Sequence, residues 1–270
     1  MHDYLLLATA LCYLGAVTML YLSVLHSAAA KKKLAVSLAC SGLALHAAAE
    51  YGHWFSAGVA EVNILNMLSL CGLVVVALLV LSIPLRKPLF EAGLVVLPIA
   101  TVVLIAEWAI EAPGRLVPEA AADITLHILS SVMAFGVLSI AAVYALFVAF
   151  IDHFLRRHHL NKLVRTLPAL DVLESLLFQL IAAGFILLTV SLGSGLLFVE
   201  NLFEQHLAHK TFLSIAAWLI FGLLLWGRRM WGWRGRVAVR MTLAGILILL
   251  LSYFGSKLVL EVLLERSWQT

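Results

Sequence analysis

The stretch YLLLATALCYLGAVTMLYLSVLHSAAA (residues 4–30) carries no charged side chain and stops abruptly at Lys31, Lys32 and Lys33. About 20 apolar residues in a helix cross roughly 30 Å of hydrocarbon, so this run is long enough to span a bilayer. The three lysines that close it belong in water. Two more charge-free runs, from Val62 to Leu85 and from Ser175 to Val199, have the same character. Over all 270 residues the chain is 63% hydrophobic and 12% charged. A soluble domain carries about 25% charged residues, so the sequence describes an integral membrane protein. Backbone groups in lipid must satisfy their own hydrogen bonds, which leaves helices or a closed barrel. The long uninterrupted runs exclude the alternating short strands of a barrel.

Eight spans are expected, over 4–26, 34–53, 63–84, 89–110, 124–151, 173–198, 211–227 and 238–263. The fold class is therefore an all-α polytopic bundle, read as four helical hairpins in one membrane domain over 1–270. No connection is rich enough in Pro, Gly or Ser to separate domains, and no repeat stands out. The N-terminal segment MHDYLLLATALCYLG lacks the basic start of a signal peptide, so the first span is expected to stay in the mature protein.

Lys and Arg near span ends favour the cytoplasmic side. Fourteen of the eighteen fall after odd-numbered spans: Lys31, Lys32, Lys33, Arg86, Lys87, Arg156, Arg157, Lys162, Arg165, Arg228, Arg229, Arg234, Arg236 and Arg240. Only Arg115, Lys210, Lys257 and Arg266 fall on the other side. Both termini are thus expected outside. The net charge of +3 reports topology, and it gives no reason to expect a nucleic-acid partner. The tryptophans of WGRRMWGWRGR (226–236) read as an aromatic and basic anchor at the cytoplasmic interface.

Cys12, Cys40 and Cys71 lie inside spans, form no C-x-x-C pair, and read as small buried hydrophobes. No C-x-x-C-H motif for covalent haem occurs.

Histidines are the first candidates for function, because a lipid-embedded bundle has little other use for imidazole. His153, His158 and His159 fall in the basic cytoplasmic loop, His26 closes span 1, and His2 reads as terminal and free. Five remain toward the outer face: His46, His53, His127, His206 and His209. In DITLHILSSVMAFG (123–136), Asp123 can cap the helix and His127 emerges from its first turn. His209 holds the matching place before span 7 in EQHLAHKTFL (204–213), with His206 farther into the loop. Two odd-numbered spans thus begin at the outer face with a histidine. That placement suits two axial ligands to a haem iron better than zinc, which wants four close ligands. Plain interfacial packing is the alternative. Lys210 and Lys257, at the outer ends of spans 7 and 8, can meet haem propionates or simply snorkel. His46 has Glu50 one turn on, a pair suited to proton handling, ligand contact or mutual satisfaction, and Glu107 raises the same question.

The segments LHILSSVMAFGVLSIAAVYALFVA (126–149) and HKTFLSIAAWLIFGLLLWGRRMWGWRGRVAVRMTLAGILILLLSYFGSKLVLEVLL (209–264), with the eight spans, resemble the cytochrome c assembly family, in particular its CcsA/HemX-like branch. The resemblance implies haem handling at the outer face of a bacterial inner membrane. It implies non-covalent haem b between His127 and His209, and other cytochrome-biogenesis membrane proteins as partners. Haem-lyase members carry a tryptophan-rich outer loop, W-G-x-x-W-x-W-D, between these histidines. Here no tryptophan occurs between Trp108 and Trp218, and the connection reads GSGLLFVENLFEQHLAHK (193–210). Haem binding is implied, whereas an enzyme that attaches haem is not, and no catalytic residue is expected. A HemX-like regulator or scaffold, contacting a partner through Arg156–Arg165 and Arg228–Arg240, is the second reading. A transporter is the third, with Gly193 and Gly195 as its clearest helix interruption.

Overall fold

A computed structural model describes residues 2–26, 28–55, 59–84, 90–110, 115–118, 122–156, 169–198 and 205–255. Among these residues eight α-helices follow in order: α1 (His2–His26), α2 (Ala29–Phe55), α3 (Ile64–Leu81), α4 (Gly93–Ala109), α5 (Ala122–Arg156), α6 (Leu170–Phe198), α7 (Gln205–Trp231) and α8 (Arg236–Leu250). A 3₁₀ turn, Phe90–Ala92, precedes α4, and a π-helical turn, Leu251–Gly255, continues α8. Eight helical segments are long and apolar enough to cross a membrane. The protein is an all-α, eight-span membrane protein.

Most helices overrun the apolar runs that predict them. Ala29–Phe55 includes the three lysines, and Gln205–Trp231 begins six residues before the expected span. Charge marks where hydrocarbon ends, but Lys, Arg, Glu and Gln are good helix formers, so hydrogen bonding continues past that boundary. Two connections also pair as short antiparallel strands, β1 (Val59–Val62) and β2 (Arg115–Pro118), in the register Val59↔Pro118 to Val62↔Arg115. The backbone groups of segments read as plain loops are satisfied there by a ladder.

The helices fall into two compact units: Met1–Glu119 with Phe154–Ala169, and Ala120–His153 with Leu170–Thr270. No Pro-, Gly- or Ser-rich linker marks the division. In the first unit, α1 buries Leu6, Ala10, Tyr13, Ala16 and Leu20 at helical spacing. Opposite them α2 offers small residues, Ala35, Ala39 and Ala49, all at most 1% exposed. Small residues let helices approach closely in lipid, where packing rather than the hydrophobic effect holds helices together. Gly42 extends that stripe: a Cβ there would lie 2.7 Å from the Tyr13 ring. In the second unit, Gly245 of α8 gives the same clearance to the fully buried Phe221 of α7. Large apolar side chains such as Leu11, Ile186 and Phe212 stand exposed, as lipid-facing positions should. Of the cysteines only Cys71 is buried; Cys12 is half-buried and Cys40 exposed, which corrects the expectation for those two. Lipid tolerates an apolar thiol on a helix surface as readily as a core does.

The turn between α7 and α8 uses two left-handed glycines, Gly232 (φ 66°) and Gly235 (φ 57°), a conformation that costs glycine nothing. The Gly235 N–H donates to Glu174 Oε1 at 2.9 Å, tying the start of α8 to α6. Beside it Trp231 and Trp233 stack at 5.4 Å, and Arg228 lies 4.6 Å over the Phe178 ring, a cation–π contact. The basic segment 157–168 lies outside the described residues.

Candidate functional site

At one end of the second unit, the N-terminal parts of α5 and α7 meet the C-terminal parts of α6 and α8. They enclose a cavity of about 220 Å³ lined by His127 and Ser131 of α5, Ser191 and Gly195 of α6, Lys210 and Ser214 of α7, and Ser252 and Tyr253 of the π-helical turn. Every helix of the unit contributes a hydroxyl. A π-turn adds one residue to the helical repeat and is frequent at functional sites. Here it carries two of the lining residues.

His127 is held tightly. Its Nδ1 lies 2.9 Å from the Ser191 carbonyl oxygen, which can only accept, so Nδ1 carries the proton. The Nε2 lone pair is then available to a ligand. Ser194 lies 3.4 Å from Nδ1 but donates its own proton to the Ser191 carbonyl at 2.9 Å. Gly195 completes the clamp: a Cβ there would stand 3.0 Å from His127 Cε1. Ser131 donates to the His127 carbonyl at 2.7 Å and shares a hydrogen bond with Ser191. On the opposite wall Ser252 donates to the Lys210 carbonyl at 2.9 Å and meets Ser214 at 2.8 Å. The named walls hold one cation, Lys210, and no carboxylate. The positive dipole ends of α5 and α7 are offset there by the negative ends of α6 and α8, so Lys210 is what gives the described lining its positive charge.

The sequence-derived candidates are placed unequally. His127 and Lys210 share the cavity. His209 precedes Lys210 as the fifth residue of α7, matching His127 as the sixth of α5. Its side chain, and all of Lys257, lie outside the described residues. Asp123 is the second residue of α5, and its side chain, with the capping role expected of it, lies outside the described residues. His206 is helical, in α7, and not in a loop. Gly193 and Gly195 do not interrupt α6, which runs through both to Phe198. Among the described residues no group of three or more His, Cys, Asp or Glu could hold a metal ion.

The first unit holds a second polar cluster. His46 is fully buried and Glu50 is 4% exposed. His46 Nδ1 lies 3.1 Å from the Tyr13 hydroxyl, and Nε2 lies 3.0 Å from Ser69 Oγ and 3.6 Å from Glu50 Oε1. His2 is not free: it starts α1, and its Nε2 stands 3.8 Å from Glu107 Oε1. The sequence reading missed Ser131, Ser191, Gly195, Ser252 and Tyr253. Ser191 and Gly195 do share one helix face at i,i+4, a spacing visible in SLGSG, but it has no meaning until α5 is known to face it.

The family model described as Cytochrome C assembly protein matches residues 9–264. The chain belongs to that family. This cytochrome c assembly family member is 39% identical over 145 residues to the inner membrane protein YpjD of Escherichia coli K12, covering 54% of this chain and 55% of YpjD. It is 34% identical over 168 residues to an uncharacterized 28.8 kDa protein of Azospirillum brasilense, covering 61% and 62% of the two chains. It is 29% identical over 100 residues to the cytochrome c biogenesis protein CcsA of Prochlorococcus marinus NATL1A, covering 36% and 32%. The match thus spans under two thirds of each of these relatives. No solved structure matches this family member.

Proposed function

We propose that the protein binds haem b non-covalently near the outer face of a bacterial inner membrane, with His127 and His209 as axial ligands, and handles haem for cytochrome c assembly. The observation that carries this reading is the hydrogen bond from His127 Nδ1 to the Ser191 carbonyl. Imidazoles that bind metals typically donate their other N–H to a carbonyl or carboxylate, which fixes the ring and raises its basicity. The donor set suits haem: a neutral imidazole and a lysine for a propionate, with no carboxylate among the described lining residues. The volume of about 220 Å³ is below the ~300–1,000 Å³ of typical small-molecule sites, so the described walls account for part of a haem site. Haem would supply an iron that accepts two imidazole nitrogens. Ser191 and Gly195 orient His127; Lys210 would meet a propionate, and Lys257 is proposed for the same role from the sequence alone. The family membership and the relatives named for cytochrome c biogenesis support the same reading, and YpjD supports the inner membrane as its location. Partners would be other membrane proteins of cytochrome assembly.

The purified protein reconstituted with haem should give a low-spin, bis-histidine absorption spectrum. His127→Ala and His209→Ala should each abolish it. An unchanged spectrum in both variants would overturn the assignment and favour the regulator reading, in which neutralising the basic cytoplasmic loops does the damage instead.

A further inference from the structure

The buried His46 and the half-buried His127 have opposite hydrogen-bond environments. His127 faces a carbonyl, which locks one tautomer. His46 faces two hydroxyls, Tyr13 at 3.1 Å and Ser69 at 3.0 Å, with the Glu50 carboxyl 3.6 Å from Nε2. A hydroxyl can donate or accept. When His46 is neutral, one ring nitrogen accepts from a hydroxyl and the other donates. When it is protonated, both nitrogens donate and both hydroxyls accept. Each ring nitrogen therefore keeps a hydrogen-bond partner in both protonation states, which lowers the penalty that otherwise fixes the protonation of a buried imidazole.

We propose that His46 and Glu50 form an internal proton-binding site within the membrane-spanning part of the first unit. In the empty state the pair is a neutral imidazole beside a carboxylate. Taking up one proton from water gives either imidazolium with carboxylate or imidazole with carboxylic acid, and no electron moves. The filled state has no net charge, which an apolar surrounding tolerates far better than a lone anion. A structural His–Glu pair would need only one of these states, and a carbonyl would serve it better than two rotatable hydroxyls.

The surroundings support reversible access. Tyr13 comes from α1 and Ser69 from α3, and the Cys71 thiol of α3 lies within electrostatic reach of Glu50. His2 lies within electrostatic reach of Glu50, Glu107 and Asp3. The His2 side chain is 37% exposed while that of Glu107 is 6% exposed, so the cluster of ionisable groups runs from the protein surface inward. Clearance at Gly42, one turn before His46, lets the Tyr13 ring reach the imidazole.

The test is ¹⁵N NMR of the full chain, labelled at histidine and held in lipid nanodiscs without added haem. His46 is assigned by loss of its signals in His46→Gln. Tyr13→Phe, which removes one hydrogen-bond partner and keeps the ring, gives an independent assignment if that variant fails to fold. The expected result is that both His46 ring nitrogens move along one titration curve as pH changes. Glu50→Gln should abolish that curve or move its midpoint by about one pH unit or more. Ring signals that stay fixed across the range in which the protein is folded would overturn the proposal, as would an identical curve in Glu50→Gln. Neither outcome depends on haem binding at His127.

Discussion

Gly195 is where a single atom decides the geometry of the candidate haem ligand. Its missing Cβ leaves room for the imidazole of His127, which a methyl group would approach to 3.0 Å at Cε1. Because the ring is also held by the Ser191 carbonyl at 2.9 Å, it cannot yield without losing that bond. Gly195→Ala should therefore act as a loss of the supporting shell rather than of the ligand. Haem affinity is expected to fall by about 10–100-fold, measured by titrating haem into the detergent-solubilised protein, with the helix content unchanged. The histidines themselves were legible from sequence, since imidazole at the start of an apolar span is conspicuous. Their support was not: Ser131, Ser191 and Ser252 look like any other span serines until four helices bring their hydroxyls to one cavity. His2 shows the reverse error. A terminal residue reads as free, yet the helix begins there and places it beside Glu107.

At the level of helices, contact depends on where glycine lets a neighbour in. Gly245 of α8 faces the ring of Phe221 of α7, with a Cβ position 2.6 Å from Cζ, and Phe221 has no exposed surface through which to escape. Gly72 of α3 meets only Ala100 at 3.8 Å, an ordinary contact. Gly245→Ala should therefore cost about 1–3 kcal/mol through overpacking, whereas Gly72→Ala should be close to neutral. Denaturant or thermal unfolding in matched detergent separates the two, and equal changes in both variants would overturn the packing account, since helix propensity alone favours Ala over Gly at either site. Span number and type were legible because lipid imposes about 20 apolar residues on every crossing. The ends were less so, because lysines and arginines continue a helix beyond hydrocarbon. The β1–β2 pairing was invisible: VAEV and RLVP lie 52 residues apart and carry no alternation long enough to announce a strand.

For the whole molecule, the family match from residue 9 to 264 crosses both compact units, so the membership applies to all eight spans together. What that assembly can do depends on which way it faces. Eight crossings put the starts of α5 and α7 on the same side as the N-terminus. We propose, from the distribution of fourteen Lys and Arg against four, that this side is the outside. Reversed, the cavity of His127 and Lys210 would open toward the cytoplasm, and haem bound there could not be offered to an apocytochrome outside. A phosphatase active only after export, fused at the C-terminus, should therefore be active, while the same fusion made within the Gly232–Gly235 turn should be silent. Neutralising Lys31, Lys32 and Lys33 together should weaken this orientation more than neutralising Arg115, because three cations sit together against the end of the first apolar run. An active turn fusion with a silent C-terminal one would invert the topology, and the haem-handling reading would then have to find its acceptor in the cytoplasm.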